Sequence, residues 1–336
     1  MKKIFRIVAA ALSVLLVLAL CAVGLNRVVY GRSLKATLYE YRLRRQFATD
    51  RTAESEIQRL ATRRSEPEPT AALPEGLRFS VPVGETDRDG LRVFTLNAAG
   101  NGALVLYLHG GAYINGFNAH QWRFMDRLAR ETGCTVIAPA YHLAPWADYT
   151  RSYDDLTALY RTLLEESPDR RIILMGDSAG GGLALGLAEA LAGAGEALPE
   201  RLVLFSPWVD VSMDNPDIAG YIAVEPILHF DLVKVHGRCW AGDADTRHWQ
   251  VSPLFGDMTG LPPVTLFCGT RELLYPDILL ARDRLADAGV AVELRVGRGL
   301  NHDWPLMPLP EADAALDEVA ALVTGPSPQP DLPTGD

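Results

Sequence analysis

The sequence predicts an α/β protein, with a mostly parallel central sheet, helices on both faces and a helical cap. Two observations carry this. Short apolar runs alternate with helical stretches from Leu104 to Val323, and such alternation builds a parallel sheet covered on both sides. One long stretch, Asp210–Val251, interrupts the alternation, and long insertions in compact domains are usually functional.

At the N-terminus, Lys2, Lys3 and Arg6 precede an uncharged apolar run, Ile7–Leu25. The run approaches the ~20 residues a membrane-crossing helix needs and exceeds the core of about 7–15 residues in a cleaved signal. Residues 1–32 are therefore expected to be a signal anchor that ties the chain to a membrane. Cleavage after Gly24, leaving a secreted or cell-envelope protein, is the alternative. Basic residues also follow the run (Arg27, Arg32, Lys35), so the positive-inside rule leaves its orientation open.

Residues 33–72 read as a helical connector or cap segment. Leu34, Leu38, Tyr41 and Phe47 fall at loosely helical spacing before Glu66-Pro67-Glu68-Pro69 breaks the pattern. The catalytic domain is expected over residues 73–324. It opens with a hairpin in which strands Phe79–Val83 and Arg92–Leu96 flank Asp89-Gly90. Buried strands follow at Leu104–Leu108, Val136–Ala140, Ile172–Met175 and Leu202–Phe205. Helices at Gln121–Arg130, Tyr153–Glu166 and Ala179–Ala192 separate them. The insertion at about 210–251 is rich in large apolar and aromatic side chains, among them Tyr221, Phe230, Trp240 and Trp249, and is read as a cap over the pocket. Strands at Val264–Phe267 and Val290–Val296 and a helix at Ala312–Val323 complete the domain. Residues 325–336, rich in proline, are expected to be disordered.

Composition excludes several function classes. A net charge of -10 over 336 residues argues against nucleic-acid binding, which needs a basic face. No zinc-type cysteine pair, P-loop or dinucleotide glycine fingerprint occurs, so no cofactor or metal is indicated. The four cysteines (Cys21, Cys134, Cys239, Cys268) are scattered.

The chemistry centres on Gly176-Asp177-Ser178-Ala179-Gly180, directly after an apolar strand and before a glycine-rich helix start. A sharp strand-to-helix turn holds such a serine in strained geometry, and small flanking residues let strand and helix approach. The turn lifts the serine Oγ into the cleft and sets helix amides behind it for an oxyanion. Ser178 is thus the expected nucleophile of an acyl-transfer enzyme acting on a small-molecule ester. The strand Leu104–Leu108 ends in His109-Gly110-Gly111-Ala112, where glycines let amides turn inward. The oxyanion donors are assigned to Gly110, Gly111 and Ala179. A general base must activate the serine. In the α/β-hydrolase arrangement the acid and then the histidine follow the nucleophile in the chain. Among the downstream histidines only His302 follows a late strand on a loop, so it is read as the base. The acid belongs on the loop after Val264–Phe267, where Glu272 and Asp277 compete. Asp277 at a helix start is explained by capping, so Glu272 is preferred and Asp277 stays open. Asp303 is set aside as too near His302 in sequence to fold back onto it.

Together, His109-Gly110-Gly111, Tyr141-His142-Leu143-Ala144-Pro145, Gly176 through Gly181, Ser206-Pro207-Trp208, Leu261-Pro262-Pro263 and Gly299 through His302 carry a resemblance. The chain resembles the hormone-sensitive-lipase-like (bacterial family IV) esterases of the alpha/beta hydrolase fold-3 group, from about Leu104 to Pro308. The resemblance implies a cofactor-free serine carboxylesterase for short- to medium-chain acyl esters, with a cap built partly from the N-terminal segment. Two positions depart from the family pattern: Ala112 stands where a third glycine is usual, and Glu272 where many members have aspartate. A deacetylase or amidase acting on a sugar, sterol or aryl-amide substrate would use the same residues. The family also includes non-catalytic ligand-binding homologues, against which Ser178 and His302 argue. A homodimer is left open.

Overall fold

The computed structural model describes residues 2–100 and 102–326. Eight strands form one sheet in the order β1-β2-β4-β3-β5-β6-β7-β8. They are β1 (Val83–Arg88), β2 (Leu91–Leu96), β3 (Leu104–Leu108), β4 (Thr135–Ala140), β5 (Ile172–Asp177), β6 (Arg201–Phe205), β7 (Val264–Gly269) and β8 (Val292–Gly297). The pairs β1·β2 and β2·β4 are antiparallel; every other pair is parallel. The central strands β3 and β5 are buried along their whole length, because helices cover both faces.

The helices are α1 (Lys2–Leu25), α2 (Leu34–Gln46), α3 (Ala53–Arg64), α4 (Ala119–Thr132), α5 (Tyr149–Glu166), α6 (Ser178–Gly193), α7 (Phe230–Ala241), α8 (Tyr275–Asp287) and α9 (Pro310–Thr324). One core joins α5, α6 and α8 to the sheet through Leu156, Leu183 and Ile278. A second, on the opposite face, joins α4, α9 and the buried edge of α2 through Trp122, Leu316 and Leu43.

The opening hairpin forms around Asp89-Gly90, but its first strand is not Phe79–Val83. The strand is the charged segment Val83–Arg88. The cause lies in α4: Asp126 accepts hydrogen bonds from the Ser80 and Val81 amides (2.7 and 3.2 Å), so those amides are not free for a strand partner. Phe79 instead packs edge-on against Trp122. Charged side chains suit β1, since an apolar edge strand would invite pairing with another chain.

Among the described residues one segment, Leu12–Tyr30, is apolar and long enough to cross a membrane by length and composition. Its described side chains are almost all exposed. The stretch read as one helical connector divides into α2 and α3, each begun by a side-chain cap at Ser33 and Thr52. Within Asp210–Val251 one long helix, α7, forms, with a short turn of 3-10 helix at Pro216–Gly220. Of the tail expected to be disordered, residues 327–336 lie outside the described residues.

Candidate active site

Ser178 sits at the junction of β5 and α6 with a positive φ of 51°, a strained conformation for a residue with a Cβ. Its surroundings enforce the turn. A Cβ on Gly176 would run into the Gly180 carbonyl, and one on Gly180 into the Leu108 and His109 carbonyls. Only glycine lets strand and helix meet this closely. The Ser178 carbonyl accepts from the Trp208 amide at 2.8 Å, which fixes the turn from the β6 side.

The late loops bring two more side chains to the serine. His302 Nε2 lies 2.9 Å from Ser178 Oγ, and His302 Nδ1 lies 2.9 Å from Glu272 Oε2. Glu272 is fully buried, and its other oxygen accepts from the Gly269 amide at 2.8 Å. Asp277 is held elsewhere: Asn215 Nδ2 donates to it at 2.7 Å, in the first turn of α8. Of the two carboxylates left open by the sequence, Glu272 is the one in contact with His302.

Asp303, set aside from the sequence as too near His302, does fold back onto it. Its φ of 55° turns the side chain back, and Oδ2 lies 3.3 Å from His302 Nε2, the nitrogen that faces the serine. Burial alone would push the imidazole toward its neutral form. Asp303, Glu272 and the buried Glu225 outweigh it and raise the ring to about 10. Burial also raises Asp303 well above the usual carboxylate range, so ring and carboxyl compete for protons in one small volume. Glu225 is pushed up to about 7, mainly by burial. It ties the insertion to the acid loop by accepting from the Leu273 amide at 3.0 Å.

The glycine turn after β3 needs a correction. The Gly110 amide donates to Asp177 Oδ1 at 3.0 Å, so it is not the free oxyanion donor assigned from sequence. Asp177 also accepts from Tyr107 Oη (2.5 Å) and Gln121 Nε2 (2.7 Å), a network that braces the turn against the strand end. Gly111 and Ala112 line the pocket beside Ser178, and among the described residues neither amide donates to a protein acceptor. Ala179 follows the serine in the first turn of α6. His109 stacks on Tyr141 (centroids 4.3 Å apart, planes 14°), and burial lowers its pKa to about 4. It is a neutral spacer that shapes the loop.

Ser178, His302, Asp303, Gly111 and Ala112 line a pocket of about 510 Å³. Leu43 and Phe47 reach it from the N-terminal segment, Leu232 and Val233 from α7. Behind it, a buried network joins the chain just after the N-terminal apolar segment to the loops that carry Glu272 and His302. Arg32 donates to Glu40 and to the Gly299 carbonyl, and Arg271 donates twice to Glu40 (3.0 and 2.9 Å). Arg271 precedes Glu272, and Gly299 lies three residues before His302.

A family model described as alpha/beta hydrolase fold matches residues 105–306. The chain belongs to the alpha/beta hydrolase fold family. An acetyl-hydrolase of Streptomyces hygroscopicus is 34% identical to this hydrolase over 229 residues, 66% of this chain and 76% of that protein. The esterase LipU of Mycobacterium tuberculosis is 34% identical over 239 residues, 68% of this chain and 80% of its own. A solved esterase of the bacterial hormone-sensitive lipase family superposes with a TM-score of 0.74 at 28% identity, covering 87% of this chain and 98% of that one. The hydrolase is thus a hormone-sensitive-lipase-like carboxylic ester hydrolase.

Sequence reasoning missed Asp303, Ala112 and Glu225. The Gly-Gly-Ala string marks where the turn is but not which amides face inward. Glu225 lies in an insertion whose path no periodicity reveals.

Proposed function

We propose that this hydrolase cleaves short- to medium-chain carboxylic esters by acyl transfer, with Ser178 as nucleophile, His302 as base and Glu272 as its orienting acid. The single observation that carries the reading is the imidazole bridging Ser178 Oγ and Glu272 Oε2 at 2.9 Å on each side. His302 Nε2 takes the serine proton as Oγ attacks the ester carbonyl carbon. The tetrahedral oxyanion is held by the amides of Gly111, Ala112 and Ala179, with Ala112 in place of Gly110. His302 then gives the proton to the departing alkoxide, leaving an acyl-serine. Water repeats the sequence, so the acid leaves and Ser178 regains its proton. Glu272 holds the ring by Nδ1 and stabilises its cation.

Residues 33–72 and about 210–251 act together as a cap over the catalytic domain, 73–324. Pocket-lining side chains from both segments support this, as does the buried contact of His236 on α7 with Glu56 on α3 (2.7 Å). A cavity of about 510 Å³ falls in the range of small-molecule sites, ~300–1,000 Å³. Its apolar side chains (Ile227, Leu228, Leu306, Met307) suit an acyl chain, and the similarity to an acetyl-hydrolase favours a short one. Residues 1–32 serve as the membrane anchor.

A panel of p-nitrophenyl esters from acetate to palmitate tests this reading. The kcat/KM is expected to be highest among the short and medium acyl groups and to collapse for palmitate. A rate that climbs steadily to palmitate, or matches on the corresponding anilides, contradicts it.

A further inference from the structure

Among the described residues, the outward face of α2 packs against no other element. Its inner face buries Ala36, Glu40 and Leu43. The outer face presents Leu38 and Tyr41, 62% and 63% exposed, together with exposed Lys35, Arg42 and Arg45. Among the described residues no carboxylate lies within ion-pair distance of these three cations; Arg45 lies over the Tyr41 ring instead (5.9 Å). A large aliphatic side chain and a tyrosine interleaved with cations is the pattern of a helix that lies in a membrane interface. Long basic side chains there cover apolar surface while their heads reach lipid phosphates.

Charge points to the sign of that surface. Residues 1–45 hold nine basic side chains against one acidic, Glu40, in a chain whose total is -10. The surplus of +8 leaves -18 on the remainder. An anionic leaflet attracts the first part and repels the rest, which orients the molecule.

Chain connectivity supplies the position. The apolar segment Leu12–Tyr30 is followed by only Gly31, Arg32 and Ser33 before α2 begins. Three residues span at most about 10 Å, so a membrane-spanning α1 leaves α2 at the depth of the headgroups. Arg32 locks this geometry by donating to Glu40 and the Gly299 carbonyl.

We propose that the Lys35, Leu38, Tyr41, Arg42 and Arg45 face of α2 docks on an anionic lipid surface. The proposal rests on the anchor reading of residues 1–32 and is independent of the catalytic assignment. The docked helix would set the pocket beside the lipid, since Leu43 and Phe47 at its far end line that pocket.

The test uses the full chain in a Cys21→Ser/Cys239→Ser background, whose remaining cysteines are buried. Leu38→Cys is labelled with an environment-sensitive nitrobenzoxadiazole dye and reconstituted into vesicles of phosphatidylcholine alone or with one quarter phosphatidylglycerol. Leu280→Cys, exposed on α8 at the opposite face of the sheet, serves as the reference site. A blue-shifted emission at position 38 is expected in the anionic vesicles only, with none at 280. The triple substitution Lys35→Gln/Arg42→Gln/Arg45→Gln is expected to reverse it, lowering the docked-to-undocked ratio roughly 10²-fold. Equal emission at 38 in both vesicles overturns the proposal. So does a shift that tracks protein density at fixed lipid, the mark of a second copy on this face, or protein that fails to float with the vesicles. Hydrolysis of p-nitrophenyl acetate, read on the same samples, separates loss of docking from loss of catalysis.

Discussion

Replacing Asp303 by asparagine removes a carboxylate from the reactive edge of His302 while changing little else. Asparagine is among the few residues that accept a φ near the 55° observed here, so the backbone is retained. At the 3.3 Å separation, two unit charges interact by about 5 kcal/mol at an effective dielectric of ~20. That corresponds to an upper bound of roughly 3 to 4 pH units at ~1.36 kcal/mol per unit. Burial raises Asp303's own carboxyl well above its usual range, so it is ionised for only part of the titration. The expected shift is therefore about 1 to 3 units. Removing a negative neighbour destabilises the imidazolium, so the neutral base forms at lower pH. The acid limb of kcat/KM on p-nitrophenyl acetate, which reports loss of the proton from His302, therefore moves down in Asp303→Asn, since Asp303 is among the groups that raise the ring. A limb that stays in place, or moves upward, refutes the electrostatic account of the site.

Other outcomes follow from the same geometry. Glu272→Gln keeps the side-chain shape but loses the charge behind His302, and kcat should fall by about 10²–10⁴; Asp277→Asn, a change at a carboxylate bound to Asn215, should leave kcat near wild type. Gly180→Ala drives a Cβ into the Leu108 carbonyl and should appear as lost soluble protein or a lower Tm, since overpacking costs about 1–3 kcal/mol or more where nothing can yield. Glu56, buried at the α3–α7 contact, is lowered to about 2, chiefly by the Arg59 hydrogen bond against burial, with His236 assisting. Its contribution is fully present above the ordinary glutamate pKa, ~4.3, and fades as pH falls through about 2. The Tm of Glu56→Gln should therefore lie below wild type at pH 7, with the gap closing toward pH 2.

The parts of this molecule set by local sterics could be read directly from the sequence. The Ser178 turn is an example, because strand, serine and small flanking residues must be consecutive for the geometry to exist. The central parallel strands were equally plain, since burial on both faces leaves Leu104–Leu108, Ile172–Met175 and Leu202–Phe205 without a charged residue. What could not be read depends on partners distant in the chain. Phe79–Val83 has the composition of a strand, and only Asp126 on α4 shows why its amides are taken. The Gly110 amide looked free until Asp177 on β5 claimed it. Asp303 is illegible for another reason: its contact with His302 depends on one backbone φ that sequence adjacency does not reveal.

Nucleophilicity of Ser178 is read most directly by reaction with a fluorophosphonate probe, followed by peptide mapping of the adduct. A single stoichiometric adduct on Ser178 is expected, lost in Ser178→Ala and formed far more slowly in His302→Asn and Glu272→Gln. Labelling of Ser178→Ala at the wild-type rate, or an adduct on another residue, would contradict it.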